Sequence, residues 1–218
     1  MDFCCRHRQY AGKVKAFVKK QYKKHNPDLF KIGLTIRKTR HGKACVVKHF
    51  PKAVKEIVLN YDTHYFAFKT MYVRKMATMF IDGTKNGNYL KMWTNLDRTK
   101  WAKQGHFKLT PVHNNFYWHI TSRSSPSTTF TVGASKNYEK VRLINNPFKK
   151  SGYKKAEYKF WPVLGGHAVM MNPRSAPRAS LYAVSYSKNG QYIKMWTNLQ
   201  TSTSKEKGYW KPYMKARF

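Results

Sequence analysis

Apolar and polar side chains alternate with a period of two through residues 61–218, in short segments separated by Gly, Asn, Ser and Pro. Such alternation is typical of β-strands that bury one face. The pattern predicts strands over Tyr65–Val73, Thr78–Asp82, Tyr89–Thr94, Asn115–Thr121, Thr128–Gly133, Lys140–Ile144, Ala168–Met171, Leu181–Tyr186 and Tyr192–Thr197. It predicts no helix of useful length in this part of the chain.

The first sixty residues follow a different pattern. Apolar residues fall at helical spacing within 11–24, where lysines cover the remaining surface, and Pro27 ends this predicted helix. Residues 29–36 and 43–49 have the composition of short strands. Pro51 opens a second predicted helix, whose apolar face would carry Val54, Ile57, Val58 and Tyr61. We therefore predict a basic segment over 1–60 with two short helices, which either contact nucleic acid or a membrane, or pack against the domain that follows.

A repeat organises the β-rich part of the chain. Residues 85–96 and 188–199 are identical at ten of twelve positions, and a weaker copy begins at Lys136. Lys-Asn-Gly at 85–87 and at 188–190 predicts a hairpin turn in each copy, because Asn-Gly tolerates positive φ at both central positions. The copies are 51 and 52 residues apart, and about twenty residues after each predicted turn an aromatic residue precedes a lysine: Phe107, Tyr158 and Trp210. The sequence thus predicts three all-β units of roughly fifty residues, at about 61–105, 106–156 and 157–218.

Three such units can close on one another around a pseudo-threefold axis, which removes the exposed sheet edges. In this respect the sequence resembles the β-trefoil superfamily, to which ricin-type lectins, fascin-like domains and fibroblast growth factors belong. The resemblance implies a mainly β fold with a C-terminal β-trefoil over 61–218. It also implies that Phe107, Tyr158 and Trp210 are the core aromatics at the repeat ends.

A second resemblance concerns the layout of the whole chain. A helical amino-terminal segment followed by a trefoil is similar to the low-molecular-weight lipoproteins of insect haemolymph, as are Lys108-Leu109 and the ending 213–218. This resemblance implies a stored or secreted protein, although residues 1–8 have no apolar stretch of the kind expected in a secretory signal and the chain is far more basic than that family.

The charge changes the functional picture. Lys plus Arg total 43 against 9 Asp plus Glu, a formal net charge of +34, divided as +13 over 1–60 and +21 over 61–218. Nine acids provide few carboxylates for acid–base chemistry, and no nucleotide-binding or hydrolase motif is present. We therefore expect a non-enzymatic protein with no catalytic residues and no cofactor.

This excess of charge predicts a polyanionic partner, because solubility needs far less. We favour nucleic acid, in a viral packaging or structural role, over a sulfated glycan. The predicted contact residues are Lys13, Lys15, Lys19, Lys20, Lys23, Lys24, Arg37, Lys38, Arg40, Lys43, Lys149, Lys150, Lys154 and Lys155. Assembly into a homo-oligomer is compatible with this role, and an intracellular or virion-associated location is expected unless the chain is a processed secreted product.

The alternative is a lectin-like trefoil that binds glycans, including sulfated ones. No Gln-x-Trp motif of ricin-type lectins occurs, but Asp82 and Asp97 are available in the first repeat to bind sugar hydroxyls. For Trp93 and Trp196, we favour a core position over an exposed stacking position. Cys4, Cys5, His7, His41 and Cys45 lack zinc-site spacing, so no metal is predicted. No segment has the length and apolarity of a membrane helix.

Overall fold

A computed structural model describes residues 56–57, 60–72, 77–83, 85–112, 117–133, 137–145, 147, 153–183 and 189–218. Twelve strands lie in these ranges: His64–Thr70 (β1), Thr78–Ile81 (β2), Leu90–Trp93 (β3), Phe107–Val112 (β4), Tyr117–Ser122 (β5), Thr128–Val132 (β6), Val141–Asn145 (β7), Tyr158–Val163 (β8), Ala168–Pro173 (β9), Ala179–Ala183 (β10), Ile193–Thr197 (β11) and Trp210–Arg217 (β12). Short 3-10 helices connect them at Leu96–Arg98, Ala102–Gly105, Tyr153–Lys155, Leu164–Gly166, Leu199–Thr201 and Lys205–Gly208.

Six of the strands close into a barrel. Around the ring, β1 pairs with β12, β12 with β9, β9 with β8, β8 with β5, β5 with β4, and β4 with β1, all antiparallel. The other six form the hairpins β2–β3, β6–β7 and β10–β11. Three four-strand units, β1–β4, β5–β8 and β9–β12, therefore make a β-trefoil, and the predicted fold class is confirmed. Counted by strand pairing, the units span 64–112, 117–163 and 168–217. The boundaries between units therefore lie later in the chain than the sequence predicts. The domain boundary near residue 60 stays a prediction.

The barrel interior is filled by large aromatic side chains. Phe107, Tyr158 and Trp210 are fully buried, and each begins a barrel strand, β4, β8 or β12. The sequence patterns identified these aromatics but missed the three strands that they begin. Each strand contains a proline, Pro111, Pro162 or Pro212, and proline ordinarily argues against a strand because it cannot donate to the ladder.

The repeated asparagine of each hairpin turn binds the next repeat. The side-chain Oδ1 of Asn86 accepts a hydrogen bond from the backbone N–H of Asn145 at 2.9 Å. Asn137 Oδ1 accepts from Thr197 N–H at 2.6 Å, and Asn189 Oδ1 from Thr94 N–H at 2.8 Å. The three turns thus join the three hairpins in a cycle around the pseudo-threefold axis.

The conformation of these turns differs from the sequence prediction. The hairpins are predicted on the ground that Asn-Gly tolerates positive φ at both central residues. Only the glycines, Gly87 and Gly190, have positive φ, at 88° and 83°. In the middle repeat Tyr138 takes the same place with a φ of 67°. The asparagines keep negative φ while their side chains bind across the repeat boundary.

The described part of the second predicted helix packs on the barrel. Tyr61 N–H donates to the Ile57 carbonyl at 2.9 Å, a helical hydrogen bond, and both side chains are buried. The Tyr61 ring lies edge-on to Trp118, with centroids 5.2 Å apart. For these two residues the packing alternative is therefore confirmed. The first helix, the predicted strands before residue 50, and Pro51 and Val54 lie outside the described residues.

A half-buried histidine makes stability depend on pH. Burial, followed by the positive charges of Lys215 and Arg123, lowers the pKa of His106 to about 4. The unfolded chain, with a histidine pKa of about 6.5, binds a proton that the folded chain excludes. His106 therefore does not lower the free energy of unfolding above about pH 6.5. Below that pH the free energy of unfolding falls as the pH drops toward 4.

We expect His106→Gln to remove this acid-side loss, which is about 1–2 kcal/mol after allowance for solvent screening. Urea unfolding of both proteins at pH 7 and at about pH 4 measures it, because the difference between the two pH values should be smaller in the variant. An equal drop in both proteins would contradict the assigned role of His106.

Candidate functional site

The predicted nucleic-acid residues are only partly within the described chain. Lys154 and Lys155 lie together in the 3-10 helix Tyr153–Lys155, and both side chains are exposed. Lys155 Nζ donates to the Gly133 carbonyl at 2.8 Å, which ties it to the second hairpin. The other twelve residues lie outside the described ranges: Lys13, Lys15, Lys19, Lys20, Lys23, Lys24, Arg37, Lys38, Arg40, Lys43, Lys149 and Lys150. Their role stays a prediction.

The first repeat contains a cleft lined by aromatic rings, which we call the first-repeat cleft. Its volume is about 350 Å³, and its lining residues are Phe80, Asp82, Gly83, Trp93, Leu96, Trp101 and Gln104. Trp93, at the end of β3, lies edge-on to Phe80 at a centroid distance of 5.6 Å and tilted against Trp101 at 6.4 Å. Trp101 is 46% exposed, so an indole ring faces solvent at the cleft mouth.

Polar groups occupy the rim of the first-repeat cleft. The Asp82 side chain is 57% exposed, and its carboxylate accepts a hydrogen bond from Lys91 Nζ, which fixes its position. The neighbouring Gly83 has a φ of 90°, and a Cβ there would lie 2.6 Å from Asn88 Nδ2, so the turn requires glycine. Asp82 offers acceptors, and Gln104 offers both donors and acceptors. The cleft therefore combines flat apolar faces with groups that bind hydroxyls.

The other two repeats do not reproduce this combination. Trp93, Ile144 and Trp196 occupy matching places in the three hairpins, opposite Thr78, Thr129 and Ser180. By the repeat spacing, Gly133 corresponds to Asp82, and Lys155 and Lys207 correspond to Gln104. A complete set of indole, carboxylate and amide is thus a property of the first repeat.

The preference for a core position of Trp93 and Trp196 is wrong. Both side chains are half-buried, and each lies near two aromatic rings, those of Phe80 and Trp101 for Trp93 and those of Tyr138 and Tyr182 for Trp196. Trp196 lies edge-on to Tyr182 at 5.3 Å, beside a small apolar cluster outside the main core. The sequence could not separate these cases, because a half-buried strand position has the same alternating pattern as a buried one.

Asp97, the other acid weighed for sugar binding, has a different role. Its carboxylate lies 3.2 Å from Lys69 Nζ and 2.9 Å from Lys215 Nζ. Burial opposes its ionisation, but the hydrogen bonds from Lys215 and Lys69 outweigh this and hold its pKa below the usual value. Asp97 thus forms ion pairs with two lysines of the barrel wall and offsets one of their two charges.

Positive side chains lie against aromatic rings along the barrel wall. Arg123 is 4.8 Å from the Tyr65 ring and Lys108 Nζ is 4.5 Å from the Phe218 ring. Further pairs are Lys69 and Lys211 with Tyr213, Lys159 with Trp161, and Arg174 with Tyr117. The sequence does not reveal these pairs, because most of them join residues from different strands. Such surfaces suit anions that also carry an apolar face.

In the described ranges, no three His, Cys, Asp or Glu side chains come together as metal ligands. Cys4, Cys5, His7, His41 and Cys45 lie outside those ranges. Among the helices of the described part, none is long and apolar enough to cross a membrane.

Sequence comparison identifies no relative: no protein-family model matches, and no curated protein is similar. Solved structures are similar in fold. An exo-β-1,3-galactanase from Clostridium thermocellum has a TM-score of 0.57 at 14% identity, over 71% of this chain and 31% of the other. A Polyporus squamosus lectin has a TM-score of 0.54 at 8% identity, over 70% and 49%. A mosquitocidal holotoxin has a TM-score of 0.57 at 11% identity, over 70% and 17%.

These likenesses bear on the fold. The chain spans 17–49% of the length of these three proteins, so the shared part is the trefoil. Other trefoils among the matches include a β-trefoil named BEL and a cytolethal distending toxin from Actinobacillus actinomycetemcomitans. The β-trefoil fold is thus shared with lectins, toxins and glycosidases. The closer resemblance to insect lipoproteins and the expectation of a non-enzymatic protein stay predictions.

Proposed function

We propose that this protein is a lectin-like β-trefoil that binds glycans through the first-repeat cleft. The observation that carries the proposal is the indole pair Trp93 and Trp101 beside the exposed carboxylate of Asp82. A sugar ring has an apolar C–H face and an edge of hydroxyls, and this cleft offers a surface for each.

The aromatic and the polar residues of the cleft would contact different parts of a sugar. The apolar face of one sugar ring would pack on Trp93 or Trp101, where it excludes water. Asp82 would accept hydrogen bonds from ring hydroxyls, and Gln104 would donate to one oxygen while accepting from another. The hydrogen bond from Lys91 already holds the Asp82 carboxylate in place. Less side-chain conformational entropy is therefore lost when a glycan binds.

The similar structures support this proposal over the prediction of nucleic-acid binding. The structure of the Polyporus squamosus lectin is that of a complex with the human-type influenza-binding epitope Neu5Acα2-6Galβ1-4GlcNAc. None of the similar structures described above favours nucleic acid, so that function, like the viral role, stays a prediction. The net charge of +34 would in addition concentrate acidic glycans near the surface.

The proposal is tested with a glycan array, followed by titration of the strongest ligand. Because hydrogen bonds and stacking carry this site, binding should persist at about 0.5 M NaCl, where the Debye length is only about 4 Å. We expect Trp93→Ala to weaken binding at least about tenfold, and Asp82→Asn by a smaller factor.

Trp196→Ala is the matched control, because Trp196 has the same place in the third hairpin, where Ser185 corresponds to Asp82 by the repeat spacing. It should leave the affinity within about twofold of the parent. Equal weakening by Trp93→Ala and Trp196→Ala would argue against the cleft. Binding that disappears at high salt, and that duplex or single-stranded oligonucleotides reproduce, would favour the nucleic-acid prediction instead.

A further inference from the structure

A second depression lies on the barrel wall beside β8 and β9, and we call it the wall pocket. Its volume is about 180 Å³, and its polar and aromatic lining consists of Tyr117, Lys159, Trp161, Asn172, Arg174 and Gln200. It is smaller than the roughly 300–1,000 Å³ typical of drug-sized ligands, and suits a single ring. None of the sequence-predicted contact residues belongs to it.

Hydrogen bonds hold the wall pocket in shape. Asn172 is buried, and its Nδ2 donates to the Ala179 carbonyl at 2.8 Å and to Ser180 Oγ at 3.0 Å. Arg174 Nη1 donates to the carboxylate of Glu157 at 2.7 Å, and the backbone N–H of Arg174 donates to the Glu157 carbonyl at 2.8 Å. The lining is therefore set before any ligand enters, which lowers the entropic cost of binding.

Two permanent positive charges lie against aromatic rings of this pocket. Lys159 Nζ is 4.9 Å from the centre of the Trp161 ring, and the Arg174 guanidinium carbon is 5.1 Å from that of Tyr117. The hydrogen bond to Glu157 raises the pKa of Arg174 above its usual value, so the guanidinium is charged at every relevant pH. Its side chain is 27% exposed, so a ligand can reach it.

The other walls of the barrel lack this combination. Lys108, Lys159 and Lys211 are matched by the strand register, since they lie opposite Thr121, Asn172 and Lys69. The residue two positions after each of these lysines is Thr110, Trp161 or Tyr213, so an indole is present at this place in β8 and absent from the other two strands. An indole, a lysine, an arginine and two amides therefore meet at the β8–β9 wall.

We propose that the wall pocket is a second saccharide site, specific for a sugar that carries a carboxylate or a sulfate. The sugar ring packs on Trp161, its anionic group binds Lys159 and Arg174, and Gln200 hydrogen-bonds its hydroxyls. This site shares no residue with the first-repeat cleft and does not depend on glycan binding there.

The experiment titrates the full chain with a sulfated glycosaminoglycan tetrasaccharide and with its desulfated counterpart, at about 0.15 M NaCl. Calorimetry gives the affinity. We expect the sulfated form to bind and the desulfated form to bind at least about tenfold more weakly. Lys159→Gln and Trp161→Ala should each weaken binding of the sulfated form about five- to tenfold.

Lys108→Gln is the matched control, because it removes one charge at the corresponding register position on another wall. It should change the affinity less than about twofold. Trp93→Ala should also leave it unchanged, which separates this proposal from the first-repeat cleft. Circular dichroism confirms that each variant is folded, and Lys159→Gln, with a half-buried side chain, serves if Trp161→Ala unfolds.

Three results would overturn the proposal. Equal weakening by Lys108→Gln and Lys159→Gln would mean that diffuse charge binds the sulfated chain. Loss of binding in Trp93→Ala but not in Trp161→Ala would place the acidic sugar in the first-repeat cleft. A single-stranded oligonucleotide that binds with the same affinity and the same dependence on Lys159 and Trp161 would identify the pocket as a nucleic-acid site.

Discussion

Trp210→Ala is expected to lower the free energy of unfolding by about 3–5 kcal/mol. The side chain is fully buried at the start of β12, which closes the barrel between β1 and β9. Its Nε1–H donates to the Leu181 carbonyl at 3.0 Å, so truncation removes the apolar contacts and also leaves this carbonyl without that donor. Such a loss is a large part of the roughly 5–15 kcal/mol by which domains are stable.

Urea unfolding followed by far-ultraviolet circular dichroism measures this loss. Trp101→Ala is the matched control, because Trp101 is 46% exposed at the mouth of the first-repeat cleft and should cost less than about 1 kcal/mol. Trp210→Phe retains most of the ring and should fall between the two, since it loses the hydrogen bond to Leu181. A cost below about 1 kcal/mol for Trp210→Ala would show that this ring does not organise the barrel.

The repeat predicted most of the architecture. The period of 51–52 residues and the recurring aromatics at Phe107, Tyr158 and Trp210 were sufficient for three units and a closed β fold. The strands that begin at these aromatics were missed, because local rules treat proline as a strand breaker. Tertiary pairing accommodates Pro111, opposite Trp118 in the barrel, and a local pattern carries no information about that partner.

The same limit applies to the Lys-Asn-Gly turns. Their recurrence predicted hairpins, and hairpins are present at both Asn-Gly sites. The asparagine side chains, however, bind backbone of the neighbouring repeat, 59 residues away for Asn86 and Asn145. This role explains why Asn137 is retained in the middle repeat while the glycine is replaced by Tyr138. Sequence proximity alone could not suggest such a long-range contact.

At Gly105 and Gly208, glycine is required by packing within a repeat, because neither residue has a positive φ. A Cβ at Gly105 would lie 2.4 Å from Leu96 Cδ2, and one at Gly208 would lie 2.6 Å from Leu199 Cδ2. By the repeat spacing, the middle unit has Ala156 in this place and Pro147 in place of the leucine. Ala156 is fully buried, and the proline side chain is smaller than that of leucine.

The candidate sites were only partly visible in the sequence. Asp82 and Trp93 were both singled out, but eleven residues separate them and only the β2–β3 pairing makes them neighbours of one cleft. The wall pocket draws Tyr117 from β5, Lys159 from β8 and Arg174 from the turn after β9. The charge composition favoured the lysine-rich first sixty residues as the binding region. Composition gives the density of charge along the chain, but it does not show which charged side chains come together in the fold.

A buried carboxylate provides the second large effect on stability. Glu157 is 3% exposed and bonds Arg174, whose side chain is 27% exposed, and His119 Nε2 lies 3.9 Å from its other oxygen. Arg174→Met leaves the carboxylate buried without its main partner, and we expect a cost of about 3 kcal/mol. Glu157→Gln leaves an arginine that can turn to water, and should cost only about 1 kcal/mol.

The double variant distinguishes a true coupling from two separate losses. Arg174→Met leaves the buried Glu157 carboxylate without its main partner, and Glu157→Gln removes that charge. The combined cost should therefore be about 1–2 kcal/mol lower than the sum of the single costs. Urea unfolding of the four proteins at pH 7 gives the coupling directly. Additive costs would mean that water already screens the pair, and Arg174 could then be replaced in binding experiments on the wall pocket. Strong coupling means that Arg174 variants confound binding with folding, and that Lys159 is the residue through which the charge requirement of the pocket must be tested.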